Sequence, residues 1–194
     1  MTDSLVKALE RAPFAGMAER LSALYNEEQD ALLLAMLGQE YVIRHEGILL
    51  HGQKAPEHHA AVIIDYLHSS GTSLVVTPLR AIGDFSNGPV PDFRQKVEAP
   101  VTQYAAEIIT RANSILPLFD AKIVPSLIGS DMAVSVRALP KVYLHVELSQ
   151  ETQDFPAEVW VLFSNNADQF VSVPNLQILA ELFKERVLSL LRIY

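Results

Sequence analysis

The sequence predicts an α+β domain, a largely antiparallel sheet of about six or seven strands packed with about four or five helices. Three observations carry that expectation. Short apolar runs between residues 31 and 51 are separated by single glycines, the spacing of hairpins. Val142, Leu144, Val146 and Leu148 alternate with Tyr143, His145 and Glu147, the pattern of a sheet wet on one face. Helical periodicity is confined to segments standing apart from these runs. At 194 residues the chain is long enough for one well-covered core and too short for two ordinary domains, so residues 1–194 are expected to form a single domain.

Taken in order, residues 1–25 read as a helical segment. Asp3 or Ser4 caps a first helix over about 4–12, and Pro13 starts a second with Phe14, Met17, Ala18, Leu21 and Leu24 on one stripe. The polar run 26–30 ends it, and a meander follows with strands at 31–37, 40–45 and 48–51. The first of these strands is rich in Ala, Leu and Met, which also favour helix. Pro56 and Gly71 bracket a helix over about 57–69, and residues 73–77 are strand-like. Residues 78–100 hold four prolines and two glycines and read as a long ordered loop, a kind of segment that often carries function. Val101, Tyr104, Ala105, Ile108, Ile109, Ala112 and Ile115 then keep helical spacing up to Pro117. Strands are expected at 132–138, 141–148 and 158–163, and a final helix at about 175–191.

Composition narrows the function classes. Fifteen Lys and Arg against twenty-three Asp and Glu give a net charge of −8, which opposes nucleic acid or an anionic membrane as the main partner. The absence of cysteine excludes disulfides, thiolate nucleophiles and a cluster held by this chain's own thiolates. No basic stretch followed by an apolar one opens the sequence. The longest apolar run, 31–37, falls far short of the roughly 20 residues of a membrane helix, so a cytoplasmic location is expected.

Arg137-Ala138-Leu139-Pro140, the alternating strand after it, Asp154-Phe155-Pro156 and Val161-Leu162-Phe163 resemble the Domain of Unknown Function 3786 family of bacteria and archaea. Leu37-Gly38-Gln39-Glu40-Tyr41, Asp65-Tyr66-Leu67 and Gly129-Ser130-Asp131 are similar as well. The resemblance supplies no catalytic residue. It implies relatives found largely in anaerobes, some carrying a cysteine-rich iron–sulfur segment like those beside corrinoid one-carbon enzymes. This chain departs from that arrangement in having no cysteine, and Asn175 stands where relatives tend to place an acidic pair.

Phosphate-loop, dinucleotide and serine-hydrolase motifs are absent, and His45-Glu46 lacks the second histidine of a zincin helix. Five of the six histidines fall between residues 45 and 68. His58 and His59 nevertheless point about 100° apart on a helix, and no pair has the i, i+4 spacing that shares an ion, so no metal is assigned. His59 sits beside the apolar arc and reads most simply as a partly buried, hydrogen-bonded histidine. His51, His58, Arg80 and Arg94 remain the candidate ligand-binding residues, with the 78–100 loop covering a sheet edge as the plainer reading of its arginines. Tyr143, His145, Glu147 and Trp160 would line an open sheet face unless a helix covers it. On the final helix Arg186 lies inside the apolar arc and Leu188 opposite it, which marks both as candidate interface residues. The expected role is a non-catalytic accessory or binding domain acting through a protein partner or as a homodimer, with no cofactor predicted. The resemblance links it to anaerobic redox or corrinoid one-carbon metabolism. The alternative is a small-ligand carrier or enzyme with its site between the 78–100 loop and the histidine-rich 45–68 segment.

Overall fold

A computed structural model describes residues 9, 10 and 12–192 of the chain. Most of the helix expected at 4–12 lies outside the described residues; α1 covers Phe14–Leu21. Five strands follow as a meander: β1 (Leu24–Asn26), β2 (Ala31–Met36), β3 (Gln39–Arg44), β4 (Gly47–Leu50) and β5 (Gln53–Lys54), each antiparallel to the next. Turn chemistry sets the register. Leu37-Gly38 and His51-Gly52 both take positive φ at two successive residues, the geometry of two-residue hairpins. Gly38 is required twice over: its φ is +71°, and a Cβ there would overlap the Leu118 carbonyl.

After α2 (Glu57–Leu67) the chain runs into a broken helical path made of α3 (Val90–Phe93), a wide π-type turn at Arg94–Glu98, α4 (Ala99–Thr102), α5 (Ala105–Thr110) and α6 (Ala112–Ile115). The wide turn has a local cause. Pro100 cannot donate to the carbonyl of Lys96 and its ring would collide with that group, so the backbone widens just before it. A second meander, β6 (Ala121–Val124), β7 (Met132–Leu139), β8 (Val142–Ser149) and β9 (Glu158–Phe163), forms a four-stranded antiparallel sheet, and α7 (Val173–Arg192) closes the fold.

The protein is therefore α+β, with nine strands among the described residues divided between two sheets rather than six or seven in one. The extra strands β1, β5 and β6 are short edge pieces without the alternation that makes a strand visible in sequence. Residues 73–77 form no strand: the Val75 amide donates to the Asn166 side chain and the Val76 carbonyl accepts from Asn165. The helix expected over 101–115 is broken at Tyr104 and Arg111, which leave helical geometry. Residues 78–100 hold a 3₁₀ turn at Ile82–Asp84, α3 and the wide turn, so helical structure replaces much of the expected loop, and helical pieces outnumber the four or five expected.

One cluster of buried residues extends from Leu9 to Leu191. The sheets meet where the Leu37 amide donates to the Ala138 carbonyl at 2.9 Å. Helix α7 lies against α2: the Asp65 carboxylate accepts from the Ser172 amide at 2.7 Å and from the Asn175 side chain at 2.8 Å. Arg111 donates to the carbonyls of Leu190 and Leu191, satisfying acceptors that the end of a helix leaves unpaired. No helix among the described residues is long and apolar enough to cross a membrane.

Candidate functional site

A tyrosine, a histidine and an arginine face a cleft of about 360 Å³ between the β2–β3 hairpin, the start of α2 and the last turns of α7. Apolar Met36, Leu37, Leu50 and Leu182 line it together with Gln39, Ser189 and Glu185, whose carboxylate meets Lys184 at 3.8 Å. Strand alternation puts Tyr41 and Ile43 on the buried face of β3. The phase of α2 sets His59 beside that face, partly buried, with Nδ1 2.7 Å from the Tyr41 hydroxyl. Burial, reinforced by the nearby His58, lowers the His59 pKa to about 4, and burial raises that of Tyr41 to about 12. Both groups are neutral at pH 7. His59 Nδ1 is the only hydrogen-bond partner of the Tyr41 hydroxyl among the described residues, and the imidazole tautomer decides which of the two donates.

Arg186 is the third polar group. It enters from α7 with one nitrogen, Nη2, donating to the Leu118 carbonyl at 3.1 Å, and its guanidinium lies over the Phe119 ring at 5.3 Å. Nε is buried with no hydrogen-bond partner, and Nη1 also has none among the described residues. No described carboxylate pairs with this cation, and burial lowers its pKa, with Tyr41 opposing the shift. A partly buried guanidinium with a buried, unpaired Nε–H and a free Nη1 beside a neutral Tyr–His pair is suited to hold an anion.

The sequence-predicted residues divide. His51 occupies the β4–β5 turn at φ +51°, and its ring meets Gln39 Nε2 at 3.2 Å on the edge of the cleft. His58 is exposed, with its ring edge-on to His59 at 4.6 Å. Arg80 and Arg94 belong to another region. The Arg80 backbone exchanges two hydrogen bonds with Phe163, extending the sheet beyond β9. Its guanidinium stacks on Phe85 at 3.9 Å and meets Asp168 at 3.6 Å. Arg94 lies over the Trp160 ring at 4.7 Å and pairs with Glu98 at 3.6 Å. Glu98, carried by the wide turn, accepts the Val161 amide at 3.1 Å. Both arginines thus work at the covered edge of β9 and share no partner with His51 or His58.

Leu188 is partly buried against the core, and Leu176, Leu179, Ala180, Phe183, Val187 and Leu191 bury most of the rest of α7. The all-round apolar character of this helix therefore reflects burial. His145 and Glu147 are buried rather than on an open sheet face, and the 125–131 loop straps Glu147, with the Leu127 amide 2.8 Å from its Oε1. Among the described residues no group of three or more His, Asp or Glu side chains converges as a metal site.

These features define the class: an α+β domain of two antiparallel meanders closed by a C-terminal helix, with a small polar cleft where the first meander meets that helix. The family described as "Domain of unknown function (DUF3786)" matches residues 13–186, and the chain belongs to that family. No curated protein and no solved structure matches it.

Proposed function

We propose that this chain is a non-catalytic accessory domain that holds a small organic anion in the Tyr41–His59–Arg186 cleft. The observation that carries the reading is Arg186: a partly buried cation with two unpaired N–H directions and no carboxylate partner among the described residues. A buried N–H left without an acceptor is unfavourable, and a bound carboxylate would supply both that acceptor and the missing counter-charge. The apolar part of the lining favours an anion with a hydrocarbon body, and a cleft of about 360 Å³ suits a small molecule. Binding is favoured over acid–base catalysis because Tyr41, at about 12, and His59, at about 4, are both shifted away from neutral pH. A protein partner and a cytoplasmic location belong to the same proposal. So does a place beside redox or corrinoid one-carbon enzymes, which rests on the family resemblance alone.

The test is a matched pair of ligands. Hexanoate and benzoate should raise the melting temperature in a concentration-dependent way, and hexanamide and benzamide should not. Arg186→Met, which keeps the apolar stem of the side chain, should abolish the carboxylate effect. Equal shifts from acid and amide, or an undiminished shift in the variant, would overturn the proposal.

A further inference from the structure

We infer that the end of the second sheet carrying Ile123, Leu127, Ile128 and Phe155 is a docking surface for a protein partner that presents a basic, apolar segment. Leu127, Ile128 and Phe155 are 62%, 60% and 72% exposed, among the most exposed large apolar side chains described. Strand register brings their loops to one end of the sheet. Strand β7 begins at Met132 opposite Leu148, β8 ends at Ser149 opposite Glu158, and the Gln150 amide donates to Asp131 at 2.7 Å, tying the two loops together.

The exposure is built in. Glu147, 1% exposed, accepts the Leu127 amide through Oε1 and the Ser130 hydroxyl through Oε2. His145 Nε2 meets the same carboxylate at 2.7 Å. Ser126 Oγ accepts the amides of Ser130 at 2.8 Å and Ile128 at 3.2 Å. Two hydrogen bonds to Glu147 fasten the loop to the sheet and two to Ser126 Oγ close it on itself, which holds its apolar tip outward. That is the preorganisation that lowers the entropic cost of association.

Charge selects the occupant. Asp131, Glu151, Asp154 and Glu158 are exposed around these side chains, and none forms an ion pair with a described residue. Lys122 is the one cation on the same strand ends and loops, and Arg94 further along is already paired with Glu98. A second copy of the chain, set face to face, would bring these carboxylates against one another, and an anionic bilayer would be repelled. A partner with lysines or arginines around an apolar segment is complementary in both respects.

The experiment uses the full chain and two fluorescent amphipathic peptides of equal length, one built from leucine and lysine and the other from leucine and glutamate. The basic peptide should bind, shifting amide resonances at 123–131 and 151–160, and the acidic one should not. Leu127→Ser with Phe155→Ser should weaken binding about tenfold or more, as loss of a central apolar anchor does. Asp154→Lys with Glu151→Lys should weaken it as well and flatten its salt dependence. Because the apolar pair is solvent-exposed, its variants should retain the wild-type melting temperature, which separates lost docking from lost folding. Shifts located elsewhere, equal binding of both peptides, concentration-dependent dimerisation abolished by Ile128→Ser, or adsorption to phosphatidylserine vesicles through this end would each overturn the inference.

Discussion

Acidification should cost this protein stability through His59 in a defined window. Burial holds its folded pKa near 4, and an unfolded histidine titrates near 6.5. Between those values the unfolded chain binds a proton that the folded chain refuses, so stability is retained above about pH 6.5 and falls as pH drops toward 4. Integrating between pH 7 and pH 5 gives a loss of about 2 kcal/mol attributable to this one side chain. The assay is urea unfolding at pH 7 and pH 5 for wild type and His59→Gln. Glutamine retains a polar group next to Tyr41 and cannot titrate, so the variant should lose about 2 kcal/mol less than wild type over that step. The difference between the two proteins cancels contributions from the other titrating groups. Equal losses would refute the reasoning, because they would mean that His59 is protonated in the folded state as readily as in the unfolded one.

Three further outcomes follow from single contacts. Gly38→Ala meets both a φ of +71° and the Leu118 carbonyl and should cost about 3 kcal/mol, whereas Gly52→Ala, at φ +76° in open space, should cost about 1 kcal/mol; thermal melts compare them directly. Glu98→Ala leaves the Val161 amide without its acceptor and should cost about 1–3 kcal/mol with faster exchange of that amide. Burial raises the Glu98 pKa, the Val161 amide and Arg94 opposing it, so its charge is disfavoured in the fold and Glu98→Gln should be no less stable than wild type at pH 7. For Glu147, burial alone would raise the pKa, but the Leu127 amide, Ser130, His145 and Ser126 outweigh it and hold it at about 2. Its stabilisation, about 3 kcal/mol, is present above about pH 4.5 and lost toward pH 2; in Glu147→Gln the acid-dependent loss should disappear, with faster exchange at Leu127.

What the sequence made legible follows from the reach of its signals. The β8 alternation and the glycine-spaced meander are local patterns, and they located β2, β3, β4, β7, β8 and β9 to within a residue or two. Strands β1, β5 and β6 are two to four residues long and owe their conformation to a neighbour, so no period announced them. The prolines of 78–100 pointed to a loop, whereas the wide turn before Pro100 carries Glu98 to the open amide of Val161, sixty-three residues away. The cleft was harder still. His59 was read from helical phase as a partly buried, hydrogen-bonded residue, and it is one. Nothing in the sequence assigned Tyr41 as its partner, because their separation of eighteen residues is bridged only when α2 lies against β3. Arg186 stood out as a charge on an apolar arc; that it meets a carbonyl and a ring in place of a carboxylate is a fact of tertiary packing.

The chain's net charge of −8 bears differently on the two surfaces. For the cleft it is an obstacle: the long-range field repels an anion, so any affinity must arise at contact, from the partly buried Arg186 and the apolar part of the lining. Added salt screens that repulsion and leaves the contact terms nearly untouched, so carboxylate binding should hold steady or tighten slightly as ionic strength rises from low values. For the acidic rim around Leu127 and Phe155 the same field attracts a basic segment, and salt should weaken that association steeply. A flat or slightly rising affinity for hexanoate beside a steeply falling one for the leucine–lysine peptide, measured on one protein, would therefore separate a local anion receptor from a charge-steered docking face. Two slopes of the same sign would mean that one of the two surfaces has been misassigned.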